Sequence, residues 1–192
     1  MSEDLPQPTD FEGDGYRFGI VASRFNQRLV DDLLERCLRT LDEAGVHEED
    51  IETVRVPGAH EVPYVAAMLA KGWEFDAVIA LGVVVGGDTS HHEVIAESTS
   101  AALQRVAIDT EIPVINGIIT TATREQAEAR CSGKHSRGRE FALSALEMAE
   151  IKRRLIQRLD EIEAMNAESK NDEDDDWTGL SGDDPGKNPW KL

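Results

Sequence analysis

Residues Ala77–Val85 (AVIALGVVV) carry no polar side chain and stop at a glycine pair, Gly86-Gly87. The run is too short to span a membrane as a helix, and three consecutive valines favour a strand. A strand that is apolar at every position must be covered on both faces, as in the interior of a parallel sheet. Helices then have to lie on either side of it, and the chain has to cross over between neighbouring strands.

The rest of the chain fits that requirement. Arg17–Ala22 reads as a first strand, Ser23–Asn26 as a turn, and Val30–Ala44 as a helix with apolar residues at helical spacing. Gly45 stops this helix, as a glycine after a helix end commonly does. Glu52–Val56 is a second strand ending at Pro57-Gly58, and Val62–Lys71 a helix with Pro63 in its first turn. A third helix from His91 to about Ala107, a strand over Pro113–Thr120 and a short helix over Arg124–Arg130 follow. A long helix begins at about Arg139. Strands alternating with helices predict an α/β fold, a three-layer α/β/α sandwich around a four-stranded parallel sheet, with an extended C-terminal helix.

Charge divides the chain into three. The formal net charge of −18 includes −5 in residues 1–14 and −5 in residues 168–192, leaving −8 for residues 15–167. Residues 1–14 read as an acidic irregular arm, 15–167 as one domain that includes the long last helix, and 168–192 as an acidic tail too charged to pack. This balance argues against nucleic acid or an anionic membrane as partner, since both call for basic surface. Cys37 and Cys131 are far apart and lack metal-ligand spacing, which suits buried thiols in a reducing compartment. No signal-peptide pattern opens the chain, so a cytoplasmic location is the expectation.

Chemistry concentrates where the apolar strand ends. Gly86-Gly87-Asp88-Thr89 offers backbone amides and a hydroxyl to an anion at a helix N-terminus, although Asp88 adds a negative charge. Ser90-His91-His92-Glu93 fits a capping box in which Ser90 caps the helix and Glu93 reaches back to its amide. His91 then sits on the first turn, where a histidine can take and return a proton near neutral pH. Ser23-Arg24-Phe25-Asn26 offers a ring for stacking, and Gly58-Ala59-His60-Glu61 offers amides and a carboxylate. Arg130 with Lys134, His135 and Arg137 forms a basic cluster able to hold phosphate. Each feature has a plainer reading. His91 could be a surface side chain, Phe25 a core or lid residue, Glu61 a helix-dipole partner, and the basic cluster a solvated face. The pattern therefore defines an α/β ligand-binding domain with an anion site and names no reaction.

In combination the segments resemble the lumazine synthase family (6,7-dimethyl-8-ribityllumazine synthase, the riboflavin synthase beta-chain family). The resemblance runs from about Phe18 to Leu155. It is carried by RFN at Arg24–Asn26, VPGAHEVP at Val56–Pro63, GVVVGGDTSHHEV at Gly82–Val94 and PVINGIITT at Pro113–Thr121, with EQAEAR at Glu125–Arg130 and ALSALEMA at Ala142–Ala149. It implies a flavodoxin-like sheet and a transferase in riboflavin biosynthesis. The family condenses 5-amino-6-(D-ribitylamino)uracil with 3,4-dihydroxy-2-butanone 4-phosphate to 6,7-dimethyl-8-ribityllumazine, releasing phosphate and water without a cofactor or metal.

The resemblance also implies roles. His91 is the proton-transfer residue. Phe25, Ala59, His60, Glu61, the Val83, Val84 and Val85 backbone, and Asn116 from a neighbouring subunit hold the pyrimidine and ribityl chain. Gly87, Asp88, Thr89 and Arg130 hold the ketose phosphate, with Arg137 and Glu140 in support. The implied assembly is a homo-oligomer, a pentamer or a multiple of pentamers, with sites between subunits and riboflavin synthase as a further partner. The alternative is a non-catalytic relative that binds flavin or lumazine, or builds a shell. Departures from the family pattern bear on the phosphate. Gly86 stands where many members carry arginine, Asp88 where a small neutral residue is usual, and Arg137 where lysine is usual. His60 and Asn116 stand where aromatics are frequent, and the Cys131–Gly138 loop is about one residue shorter. Weaker ketose-phosphate binding is the expectation.

Overall fold

Apolar residues alternate across the strands so that two separate cores form, one on each side of a single sheet. The computed structural model describes residues 11–72, 74–87, 89–132 and 136–177. Strands β1 (Phe18–Ser23), β2 (Ile51–Val56), β3 (Ala77–Val85) and β4 (Val114–Thr121) pair in the order β2-β1-β3-β4, every pair parallel. Helices α1 (Gln27–Glu43), α2 (Val62–Lys71), α3 (His91–Thr110), α4 (Arg124–Cys131) and α5 (Gly138–Trp177) provide or follow the crossovers. The α/β expectation holds, with the strand order of a flavodoxin-like sheet.

Side chains of a strand point alternately to opposite faces, and here both faces are filled. Phe18, Ile20, Ile79 and Leu81 pack against α1, α4 and α5, where Leu33, Cys37, Ala127, Ala142 and Leu146 are buried. Val21, Val78 and Ala80 face the other way, onto Val62, Ala66 and Ala70 of α2 and Leu103 of α3. Each fully buried leucine or isoleucine contributes about 1.5–3 kcal/mol relative to exposure. Layers this close leave some backbone positions no room for a side chain. A Cβ at Gly117 of β4 would lie 2.7 Å from the Ala80 carbonyl oxygen and 2.8 Å from Leu81.

Local signals account for the helix ends. Gly45 adopts φ 91°, and Val46 N donates to Leu41 O at 3.0 Å while Gly45 N donates to Asp42 O at 2.9 Å. This is a Schellman closure that satisfies orphan carbonyls at the end of α1. α1 starts at Gln27 rather than Val30, because Asn26 already accepts from the Leu29 and Val30 amides through its carbonyl. At α4, Thr123 Oγ1 accepts from Gln126 N and Gln126 Oε1 accepts from Ala122 N, a reciprocal T-x-x-Q cap.

The last helix differs from its expected limit. α5 runs 40 residues to Trp177, past the boundary expected at residue 168. From Arg139 to Trp177 there is neither glycine nor proline, so nothing in the sequence stops the helix. The chain divides into a unit ending at Lys152 and a second one starting at Arg153. In the second unit Leu155, Ile156, Leu159, Ile162 and Met165 are 44–69% exposed. The acidic arm at residues 1–10 and the end of the tail at 178–192 lie outside the described residues. No helix among the described residues is long and apolar enough to cross a membrane.

Both cysteines are free and buried. Burial pushes the Cys37 thiol up to about 12. Burial does the same to Cys131, assisted by the negative charge of Asp32, which also accepts a hydrogen bond from Ser132 Oγ. The thiolate is the reactive form, so these groups are protected twice, by access and by ionisation. At pH 8 the folded protein is expected to leave both thiols unmodified by a disulfide reagent over minutes, while unfolded chain reacts with two equivalents. Rapid labelling of either cysteine under native conditions would contradict the packing described.

Candidate active site

Parallel strands deliver all their carboxyl ends to one edge, and ligands of open α/β sheets bind there. Three of the four strand ends here enclose a single cavity of about 710 Å³. The loop after β1 supplies Phe25 and Asn26, and the loop after β2 supplies Gly58, Ala59, His60 and Glu61. The end of β3 supplies Val83, Val84 and Val85, and the turn beyond it Gly87 and Thr89. The first turns of α3 add His91, His92, Val94, Ile95 and Ser98.

The walls are held by backbone chemistry. Asn26 has φ 55°, a left-handed conformation that asparagine tolerates better than most residues, and its Nδ2 donates to Val83 O at 2.9 Å. The loop carrying Phe25 is therefore tied to the end of β3. Arg24 N and Phe25 N both donate to Pro57 O, which ties the same loop to the end of β2. Glu61 Oε2 accepts from Gly58 N at 2.8 Å. A Cβ at Gly58 would stand 3.3 Å from the Phe25 ring and 3.0 Å from that carboxylate, so a side chain there would make one of them shift. Phe25 is 71% exposed with its ring beside the cavity, which suits a stacking surface rather than a core residue.

The turn from β3 into α3 departs from the capping box expected at Ser90. Ser90 has φ −72° and ψ 7°, and its side chain makes no capping hydrogen bond. A capping serine needs an extended backbone to aim its oxygen at the next turn. Here a tight backbone turn does the work, with Glu93 N and Val94 N both donating to Ser90 O. Glu93 is left exposed. His92 Nδ1 lies 2.9 Å from Thr89 O, which ties the ring back to the turn.

Of the residues singled out in the sequence, the cavity gathers Phe25, Ala59, His60, Glu61, Val83, Val84, Val85, Gly87, Thr89 and His91. Asp88 lies outside the described residues, as do Lys134 and His135. Asn116 is exposed on β4, donating to Ser100 Oγ at 3.0 Å and accepting from Ile118 N, and does not line the cavity of its own subunit. Arg130 is half-buried on α4 with Nη1 donating to Gln126 O, away from the cavity wall. Glu140 pairs with Arg137 at 2.8 Å rather than with Arg130 or His91, and the Arg137 guanidinium stacks 5.7 Å from the Phe141 ring. Arg137 N also donates to Arg130 O at 2.9 Å, which ties the residue before α5 to α4.

Sequence reasoning missed Asn26 as a wall-building residue, and missed His92, Val94, Ile95 and Ser98 as cavity lining. Positions 91, 94, 95 and 98 recur at three- and four-residue steps, which is the signal that one face of α3 lines the cavity.

A family model for 6,7-dimethyl-8-ribityllumazine synthase matches residues 15–153, ending one residue past the first unit of the chain. Relatives bearing that name include one from Cupriavidus metallidurans, 42% identical over 168 residues, which is 88% of this chain and 95% of the relative. One from Bordetella petrii is 45% identical over 74% of this chain and 79% of its own. Another from Ralstonia nicotianae is 44% identical over 75% and 86%. With the motifs, the parallel sheet and the strand-end cavity in agreement, the chain belongs to the 6,7-dimethyl-8-ribityllumazine synthase family.

Proposed function

We propose that this chain condenses 5-amino-6-(D-ribitylamino)uracil with 3,4-dihydroxy-2-butanone 4-phosphate to give 6,7-dimethyl-8-ribityllumazine, phosphate and water. The observation that carries this reading is the meeting of Phe25, Glu61, Thr89 and His91 around one cavity. Phe25 stacks on the pyrimidine, while Ala59, His60, Glu61 and the Val83–Val85 backbone hold its polar edge and the ribityl chain. Gly87 and Thr89, which line the cavity, are assigned to the ketose phosphate, and Asp88 and Arg130, with the Arg137–Glu140 pair in support, are assigned to the same substrate end. A non-catalytic binding or shell-forming relative is the poorer reading, since it leaves the gathering of an acid/base group with both substrate ends unexplained.

The reaction asks for little covalent help. The amine attacks the ketone and loses water to form an imine, the phosphate departs by elimination, and the second nitrogen closes the ring with loss of a further water. Holding the two reactants in register can supply several kcal/mol of the barrier. Each step moves a proton, and His91, which lines the cavity on the first turn of α3, is the residue assigned to carry it. Donors aimed at the departing phosphate assist the elimination. Gly86, where many members carry arginine, and Asp88, where a small neutral residue is usual, weaken the binding of the ketose phosphate rather than abolish it.

His91→Ala is expected to lower kcat by about 10²–10⁴-fold, the usual contribution of a general acid/base group, with little change in the pyrimidine KM. Product is followed by lumazine fluorescence after mixing the two substrates. Unchanged turnover in this variant would remove His91 from the mechanism. Absence of product above the uncatalysed background with the parent chain would remove the whole reading.

A single subunit leaves Asn116 and the exposed side of the cavity facing outward. We therefore assign the working form as a pentamer or a multiple of pentamers, with Asn116 reaching the site of a neighbour. Light scattering is expected to give a mass of five chains or a multiple of five, and a monomer mass would overturn this assignment. Two unpaired, buried thiols suit a reducing compartment, and we assign the cytoplasm.

A further inference from the structure

Beyond residue 153, where the family match ends, α5 carries an apolar stripe open to water. Leu155, Leu159 and Ile162 follow one another at steps of four and three residues, the spacing of a seam between helices. Ile156 and Met165 flank them, and all five are exposed. Asn166 takes the next four-residue step, and one polar residue in such a seam fixes its register at a cost in stability. A helix of this kind draws most of its stability from covering its apolar face. Apolar surface gathered in one exposed place marks contact with another molecule.

Charge along the stripe selects that molecule. Residues 153–158 hold Arg153, Arg154 and Arg158 and no acid, while residues 159–166 hold Asp160, Glu161 and Glu163 and no base. One half of the segment is therefore +3 and the other −3. A partner helix of a single sign would match only half of it. A second copy running the same way would set basic against basic and acidic against acidic, which is unfavourable at this range. The same segment turned end for end sets each half against its opposite. We propose that residues 153–166 of α5 form a two-fold, antiparallel helix pair with the same residues of a second copy of this chain. Leu155, Leu159 and Ile162 of the two copies then cover one another around a centre near Leu159. Such a contact uses one patch twice and closes after two copies. A ring of five has no two-fold axis, so under the pentamer assignment above each pair joins chains of different rings. A single pair is short, but the pairs shared by two rings act together, as linked contacts do.

The test compares the full chain with a variant carrying Leu155→Asp, Leu159→Asp and Ile162→Asp, by light scattering. The variant is expected to hold about half as many chains per particle as the parent, as a closed two-fold contact requires. Equal numbers overturn the proposal and leave the stripe to a partner other than this chain. Should that variant fail to fold, Arg153→Glu, Arg154→Glu and Arg158→Glu together change exposed positions alone and make the segment acidic throughout. The same loss of about half the chains is expected there, and an unchanged particle overturns the proposal equally. Polarity is read from spin labels on Arg154→Cys, Asp160→Cys and Ala164→Cys, the native thiols being buried. At 1.5 Å of rise per residue, antiparallel partners are offset along the helix axis by about 15 Å at positions 154 and 164 and by only about 3 Å at 160. The label–label distance is then shortest at 160, whereas equal distances at all three positions mark a parallel bundle and overturn the pairing. Neither readout involves the condensation or the number of subunits in a ring, so those readings stand or fall separately.

Discussion

Burial of β3 on both faces is the constraint from which the remaining architecture follows. A strand flanked by β1 and β4 and covered by helices above and below has no place for a polar side chain along its length. Everything the chain does with charge or hydrogen bonds is pushed to the point where that strand ends. The glycine turn after Val85 releases the chain into solvent beside the ends of β1 and β2. A cavity forms there because three parallel strands stop at one edge.

Within the cavity, backbone groups hold the side chains that face the ligand. Glu61 is steadied by the Gly58 amide, the Phe25 loop by Pro57 O and Val83 O, and His92 by Thr89 O. This economy matters in a chain of net charge −18, where free basic groups are scarce and surface arginines find carboxylates close by. Arg17, Arg39, Arg55, Arg124 and Arg137 all sit in ion pairs, mostly with partners near the surface. Pairs of that kind contribute little to stability, so their removal from the site is the more telling effect.

Fold class and strand limits were legible because the apolar runs have lengths and periods that only one arrangement satisfies. The site was legible as a set of strand-end motifs, and its cavity does contain Phe25, Glu61, Thr89 and His91. What the sequence hid were decisions made by backbone conformation. Ser90 has the composition of a cap, yet its φ and ψ deny it the role. Asn26 looks like any turn residue, and only its left-handed backbone and reach to Val83 O reveal its function. The end of α5 was hidden for a different reason, since acidic composition argued for a loose tail while the absence of glycine and proline left the helix free to continue. The partners of Arg130 and Arg137, Gln126 O and Glu140, were hidden as well, because charge is visible in a sequence and its partner is not.

The double tether of the loop after β1 has a thermodynamic corollary. Phe25 is wide open to water, yet the residues on either side of its ring are fastened to two different strands. An aromatic surface on a loose loop would lose its freedom at every encounter with a ligand and weaken each one accordingly. Here that ordering is completed during folding, so the ring greets an incoming heterocycle already in position. Cutting the amide of Asn26 away from Val83 would not remove the ring; it would return to it the disorder that folding had taken.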